Sequence, residues 1–411
     1  MIHTHQYDNG LVLLAEPMEW LESAAFTILV PAGCIREPAD RSGLSGFTCE
    51  MALRGAGSRD SRQFINDLDS IGLERSESVG EAHTRFGGAT LADNLPDALE
   101  IYADLLRRPH FPADQLEAGR QVLFQELRAV EDEPAQKVML QLRKYHYPEP
   151  WGRPSQGDAE GIEATSLDDI REHFRQAYHP QGTVIGVAGR IEWQVLKDKV
   201  DELFADWGPN PERPLSEFSQ RTAYTHLPYD SNQTHIGIAY KSVPYRSDDY
   251  FPAWGAVGIL SGGTSARLFM EVRERRGLCY SVYATHHTLL DRGSVFCYAG
   301  TSTERAQETL DVTLSELRRL ADGVEEQELS RLKARIKSAL IMQQESSSSR
   351  SSSIARDWYH LQRPRSLEEI NQLVDDLTAD RINHYLRKNP PSDFTVVTLG
   401  RKELEVPVGV S

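Results

Sequence analysis

Two stretches of this 411-residue chain repeat one another, and that repetition limits the folds open to it. Thr183-Val184-Ile185-Gly186-Val187-Ala188-Gly189-Arg190 reads as an apolar strand, and Thr395-Val396-Val397-Thr398-Leu399-Gly400-Arg401 is a near copy. Upstream of each lies a helical stretch of matching character, Ala98 to Arg108 in the first half and Thr309 to Arg319 in the second. Each helix is followed by a short break and a further helix of charged-apolar period. Internal duplication follows.

Each half mixes strands, such as Ala25 to Val30 and His235 to Tyr240, with long amphipathic helices. The expected class is α+β, built as two homologous sheet-and-helix domains. Trp207-Gly208-Pro209-Asn210-Pro211-Glu212-Arg213-Pro214 can neither continue a helix nor join a central strand. The expected division is therefore 1–206, a linker over 207–224, and 225–411. The serine run Ser346 to Ser353, broken only by Arg350, reads as a helix end or loop over the second domain, with a disordered linker or phosphorylation cluster as the alternative.

A net charge of −16 disfavours nucleic acid or an anionic membrane as partner. Apolar runs are short and mean hydropathy is −0.48, so no membrane span is expected. The N-terminal residues lack both a basic segment and an apolar core, so no secretory signal is expected. Cys34, Cys49, Cys279 and Cys297 are scattered without a C-x-x-C pair, which fits a reduced, cytoplasmic protein.

Chemistry concentrates between Leu260 and Val282. Gly262-Gly263 reads as a strand-to-helix turn, since the lysine spacing of a phosphate loop is missing. Thr264 or Ser265 can cap a helix whose buried stripe is Leu268, Phe269 and Val272. Gly277 stops it, and Tyr280 enters a strand. That reversal lets Arg273 and Tyr280 face one cavity. Spacing alone also fits an arginine snorkelling at a helix end and a half-buried tyrosine. Asp169, Glu172 and His173 form D-x-x-E-H, one residue away from a zinc motif, while His286 and His287 are adjacent on a strand and face opposite ways.

Residues 42–57, Ser-Gly-Leu-Ser-Gly-Phe-Thr-Cys-Glu-Met-Ala-Leu-Arg-Gly-Ala-Gly, resemble the zinc-binding helix of the pitrilysin or insulinase family, which includes mitochondrial processing peptidase. There the stretch runs approximately G-L-A-H-F-L-E-H-M-x-F-K-G. Gly43, Leu44, Phe47, Met51, Arg54 and Gly55 stay in register, but the H-x-x-E-H positions hold Gly46, Cys49 and Glu50. Two histidines four apart present imidazoles on one helical face, and the glutamate activates the metal-bound water. Glycine offers no donor atom. Of the family's downstream glutamates, Glu126 stands at the last ligand position and Gly119 replaces the other.

Ser265 to Val282 resembles the family's S-R-L-F-x-E-V-R-E-K-R-G-L-x-Y-S-V motif. The resemblance implies that Arg273 and Tyr280 reach the substrate across a closed chamber. The stretch from Ser166 to Gly189 resembles the family's non-metal helix and strand, which sets His173 aside as a ligand.

Together these readings describe a non-catalytic subunit of a heteromeric zinc peptidase. It would have no catalytic residues and no metal of its own, and would contribute Arg273, Tyr280 and half of a peptide chamber. Its partner would be a homologous chain with an intact H-x-x-E-H, carrying the zinc. The alternative is a proteolytically inactive structural or peptide-binding homodimer. An active site built from Cys49, Glu50 and Glu126 is disfavoured because adjacent helical residues point about 100° apart. Glu50 and Glu126 remain candidates to share a proton or hold a hard cation.

Overall fold

A computed structural model describes residues 1–208, 215, 217 and 222–406, so the expected linker falls mostly outside the described residues. The first half runs β1 (His3–Gln6), β2 (Val12–Pro17), β3 (Ser23–Val30), α1 (Leu44–Ala52), the short hairpin β4 (Gly55–Ala56) and β5 (Arg59–Asp60), and α2 (Ser61–Ser70). It continues through β6 (Glu74–Val79), β7 (Thr84–Leu91), α3 (Leu95–Arg107), α4 (Leu116–Glu131), α5 (Pro134–His146), α6 (Ala159–Ala164), α7 (Leu167–Ala177), β8 (Val184–Gly189) and α8 (Trp193–Phe204). The second half runs β9 (Tyr224–Pro228), β10 (Gln233–Ser242), α9 (Tyr250–Ser261), a π-helical turn (Phe269–Glu274), β11 (Cys279–Thr288) and β12 (Gly293–Ser302). It ends with α10 (Ala306–Arg319), α11 (Glu326–Gln343), α12 (Ser347–Leu361), α13 (Leu367–Asp375), α14 (Ala379–Lys388) and β13 (Thr395–Gly400).

The duplication is visible in strand order. The first sheet is ordered β1-β2-β8-β3-β7-β6 and the second β9-β13-β10-β12-β11. In each, one parallel pair (β2 with β8, β9 with β13) adjoins a run of antiparallel pairs. The α+β reading with two homologous sheet-and-helix units therefore holds.

The described residues fold as two compact units, one drawn from 1–129, 153–217 and 341–366 and the other from 130–152, 222–340 and 367–406. Each unit thus takes one helix from the other half of the sequence. In the first, α12 lies on β3 and β8. Strand alternation decides which side chains meet it: Leu13 and Ala15 enter the main core, while Val12 and Leu14 pack with Ile354 and Ala355 of α12. A sheet covered on both faces explains why β3 and β8 are apolar almost without interruption.

The serine run is a helix end, the start of α12, as one of the two expected readings has it, but it packs on the first unit and not over the second domain. Ser346 caps it by accepting the Ser349 amide at 3.2 Å. Ser347 and Ser351 are buried, and Ser351 Oγ lies 3.1 Å from Thr27 Oγ1. A Cβ on Gly186 would fall 2.5 Å from the Ser351 carbonyl oxygen. Small residues on both sides permit that close approach, so packing overrides serine's poor helix propensity.

In the second unit, α5 covers β10 and β13, with Leu142 against Gly237. The alternate residues Ile236, Ile238 and Tyr240 join the core with α9 and α10. His146 of α5 sits between Ser294 Oγ at 2.9 Å and Thr395 Oγ1 at 3.0 Å. Among the described residues no helix is long and apolar enough to cross a membrane.

Candidate functional site

Helix α1 holds the altered motif, and two buried polar residues fix it. Glu37 accepts the amides of Gly43 at 3.0 Å and Ser45 at 2.7 Å, satisfying donors that open the helix. Burial raises the Glu37 carboxyl to about 7, against the opposing pull of those donors and Arg153. From α7, His173 Nε2 meets Ser45 Oγ at 3.1 Å. Burial pulls that imidazole down to about 4, which keeps it neutral. Asp169 is turned to its own helix start, bonding Ser166, and to Arg41 at 3.4 Å. The D-x-x-E-H pattern is therefore helix packing and capping.

The motif positions differ among themselves in a way that decides metal fit. Gly46 has room: a Cβ there would touch Leu123 Cδ1 at an ordinary 3.4 Å. Gly119 does not, since a Cβ would come 2.8 Å from Met51 Sδ. Cys49 is buried, and burial raises its thiol far above the usual range, with Glu77, Glu50 and Glu126 pushing the same way. Glu50 is engaged by Arg54, which donates from Nε at 3.1 Å and Nη2 at 2.6 Å. Glu126 is raised by partial burial first and by Glu50 second, so the two carboxylates feel one another.

A protonated thiol, a carboxylate held by an arginine and a glycine are poor company for zinc, which takes thiolate, imidazole or free carboxylate in a tetrahedral set. The residues present do not fit the ion. Among the described residues, no group of three or more His, Cys, Asp or Glu stands placed to hold a metal.

Sequence reasoning missed Glu37, Glu77 and Tyr102. Glu77, on edge strand β6, accepts from Tyr102 Oη at 3.0 Å and Arg75 Nη1 at 2.9 Å, next to Cys49. The legible signal was weak: a tyrosine inside the apolar stripe of α3 that needs an acceptor once buried.

In the second unit, two backbone irregularities present Arg273 and Tyr280. Arg273 lies in the π-helical turn, a feature common at functional sites because it widens one turn and redirects a side chain. Gly277, at φ +59°, reverses the chain. The pairing of β11 with β12 then slips from Cys279↔Thr301 to Ser281↔Gly300, leaving Tyr280 as the extra residue of a bulge. Tyr280 is consequently 85% exposed.

Its ring centre lies 5.2 Å from the Arg273 guanidinium carbon, and Phe269 lies 4.9 Å away. The guanidinium has no hydrogen-bond or ion-pair partner among the described residues. Tyr280, with Cys279, Tyr298, Gly300, Gln233 and Arg305, lines a groove of about 610 Å3; Arg273 is not part of that lining and meets the groove only through the Tyr280 ring. Burial holds the Cys279 thiol up at about 11 despite Arg273 nearby, so it is no nucleophile.

The remaining candidates resolve into packing. His286 bonds Ser242 Oγ at 3.0 Å and His287 bonds Tyr147 Oη at 3.0 Å, on opposite faces. Gly262-Gly263 joins α9 to the π-helical turn rather than a strand to a helix. The apolar run before it, which fits either element, is helical.

Two family models match this chain. One described as Insulinase (Peptidase family M16) matches residues 15–156, and one described as Peptidase M16 inactive domain matches residues 164–336. An uncharacterized zinc protease of Bacillus subtilis is 26% identical over 404 residues, covering 97% of this chain and 98% of that protein. One from Mycobacterium tuberculosis is 27% identical over 401 residues, covering 95% and 91%. Among solved structures, a peptidase M16 inactive domain from Pseudomonas fluorescens superposes with a TM-score of 0.90 at 20% identity, covering 99% of this chain and all of that one. A protease from Helicobacter pylori gives 0.88 at 20% identity, covering 97% and 99%.

Proposed function

The chain belongs to the M16 (insulinase) peptidase family, and from that premise we propose that it is the non-catalytic half of a two-chain zinc peptidase. One contrast carries the reading. The metal half of the family's chemistry has lost its donors at Gly46, Cys49 and Glu50, while the Arg273 guanidinium stands unspent on an aromatic platform beside an exposed phenol.

A homologous partner with an intact H-x-x-E-H supplies the zinc and the activated water. This chain supplies substrate contacts. Arg273 offers a rigid fork of donors to peptide carbonyls, and Tyr280 donates its hydroxyl to the oxyanion that forms during amide hydrolysis. The two sets need only converge in space. The protein works in a reducing cytoplasm, where its four cysteines stay free thiols.

Reconstitution tests this. Alone, the chain shows no peptidase activity; mixed with its zinc-bearing homologue it gives cleavage of an extended fluorogenic peptide. Tyr280→Phe in this chain lowers kcat by about 100- to 1000-fold if it is an oxyanion donor. Full turnover with Tyr280→Phe removes the assigned role. Copurification of the chain only with itself, inert towards peptides in every mixture, favours the inactive homodimer instead.

A further inference from the structure

Helix α11 carries Arg331 and Arg335 one turn apart, where it meets the loop that follows α9. That loop is Gly262, Gly263, Thr264 and Ser265, and with the two arginines it encloses a cleft of about 260 Å3. Arg335 lies across the glycines. A Cβ on Gly262 would collide with its guanidinium, and one on Gly263 would sit 3.2 Å from Nη1. The missing side chains are what let a guanidinium reach the loop backbone.

Neither arginine makes a hydrogen bond or ion pair with any described residue. Each offers five N–H donors, so the cleft is rich in donors without acceptors. The one carboxylate lining it, Glu328, is committed elsewhere. Its Oε1 accepts from Arg267 Nε at 2.7 Å, and its Oε2 accepts from Arg267 Nη2 at 2.7 Å and from the Glu325 amide at 2.9 Å. Thr264 and Ser265 add exposed hydroxyls and amides that donate to no described residue. In a chain of net charge −16, two adjacent unpaired cations are not a by-product of a generally basic surface.

We infer that this cleft binds a phosphate group, as free inorganic phosphate or on a small phosphate monoester. Guanidinium forks match phosphate oxygens two at a time, and the loop hydroxyls and amides supply donors from a further direction. The cleft exceeds what one phosphate fills, which leaves space for an attached organic group. The site is independent of the proposed peptidase role and needs no partner chain.

Isothermal titration of the full chain with inorganic phosphate, at constant ionic strength set by sodium chloride, tests it. Saturable binding is expected, weakened about tenfold or more in Arg335→Gln and in Arg331→Gln, the loss typical of one charge-assisted hydrogen bond. Both side chains are exposed, so the ligand-free variants keep the wild-type melting temperature. A parallel titration with glycerol 3-phosphate identifies the source: tighter binding than free phosphate assigns a monoester, equal binding assigns the ion. Absence of saturable binding to both, affinity unchanged in both variants, or acetate binding as tightly as phosphate overturns the assignment.

Discussion

Arg350 donates to Glu16 Oε2 at 2.7 Å, joining residues that lie 334 positions apart in sequence. The arginine is fully buried, on α12, and the glutamate is on β2. A charge that far from water persists only while its partner is in place. Arg350→Ala therefore costs roughly 3–5 kcal/mol, because Glu16 loses its counter-charge and a cavity opens between helix and sheet. Urea unfolding of the variant checks this; a loss below about 1 kcal/mol would mean that α12 is held by its apolar contacts alone.

The same exchange governs which fragments fold. Residues 1–206 lack α12, so Val12, Leu14 and Val184 lose their cover. Residues 225–411 lack α5, which leaves Gly237 and the Ser294 and Thr395 hydroxyls without Leu142 and His146. Expressed separately, each fragment is expected to aggregate, and co-expression is expected to recover soluble protein. A soluble, cooperatively melting 1–206 fragment would show that the exchanged helix is dispensable.

How much of this was readable beforehand depended on what each signal reports. The paired strands at Thr183 and Thr395 report local periodicity, and periodicity revealed the duplication and the α+β class. The helix exchange was not readable, since an amphipathic helix does not record which sheet it covers. The serines of α12 were legible as a helix end but not as cover for the first sheet, because nothing in the run records the glycine it packs against. Arg273 and Tyr280 were singled out by the resemblance of their segment to the family motif, since spacing alone left packing roles open, and the bulge that exposes Tyr280 comes from a one-residue register slip that no pattern of side chains announces. Glu37 and Glu77 act through backbone amides and a phenol, contacts that only the folded chain creates.

His173 gives a pH dependence whose sign is fixed. Its folded value of about 4 lies below the ordinary 6.5, so the unfolded chain binds a proton that the folded chain refuses. Its contribution is complete above 6.5 and is lost as pH falls towards 4, by at most ~1.4 kcal/mol per pH unit. Glu37, raised to about 7, acts in the opposite sense, adding stability as pH falls from 7 towards the ordinary carboxylate range. Comparison of wild type with His173→Gln cancels Glu37. The stability difference between them should shrink as pH is lowered from about 7.5 to about 4.5. A constant difference would rule out a neutral buried imidazole against Ser45.

If the zinc chemistry was lost through side chains rather than backbone, it can be put back. The native chain is expected to retain no zinc after purification, and a chelator should leave its melting temperature unchanged. Position 46 accepts a Cβ without a clash, and Glu126 already stands near Glu50 in electrostatic contact. Gly46→His, Cys49→Glu and Glu50→His together rebuild H-x-x-E-H on α1, with Glu126 as third ligand. Arg54, released from residue 50, keeps Gln115 at 3.3 Å. Position 119 should be left as glycine because Met51 fills its surroundings. The triple variant is expected to hold about one zinc per chain by elemental analysis, and adding Glu126→Gln should weaken that binding about 10- to 100-fold or more. Zinc retained equally without Glu126 would show that the ligand set is not the inherited one. No zinc at all would place the defect in the helix itself, where Glu37 and His173 fix its start, rather than in the three replaced side chains.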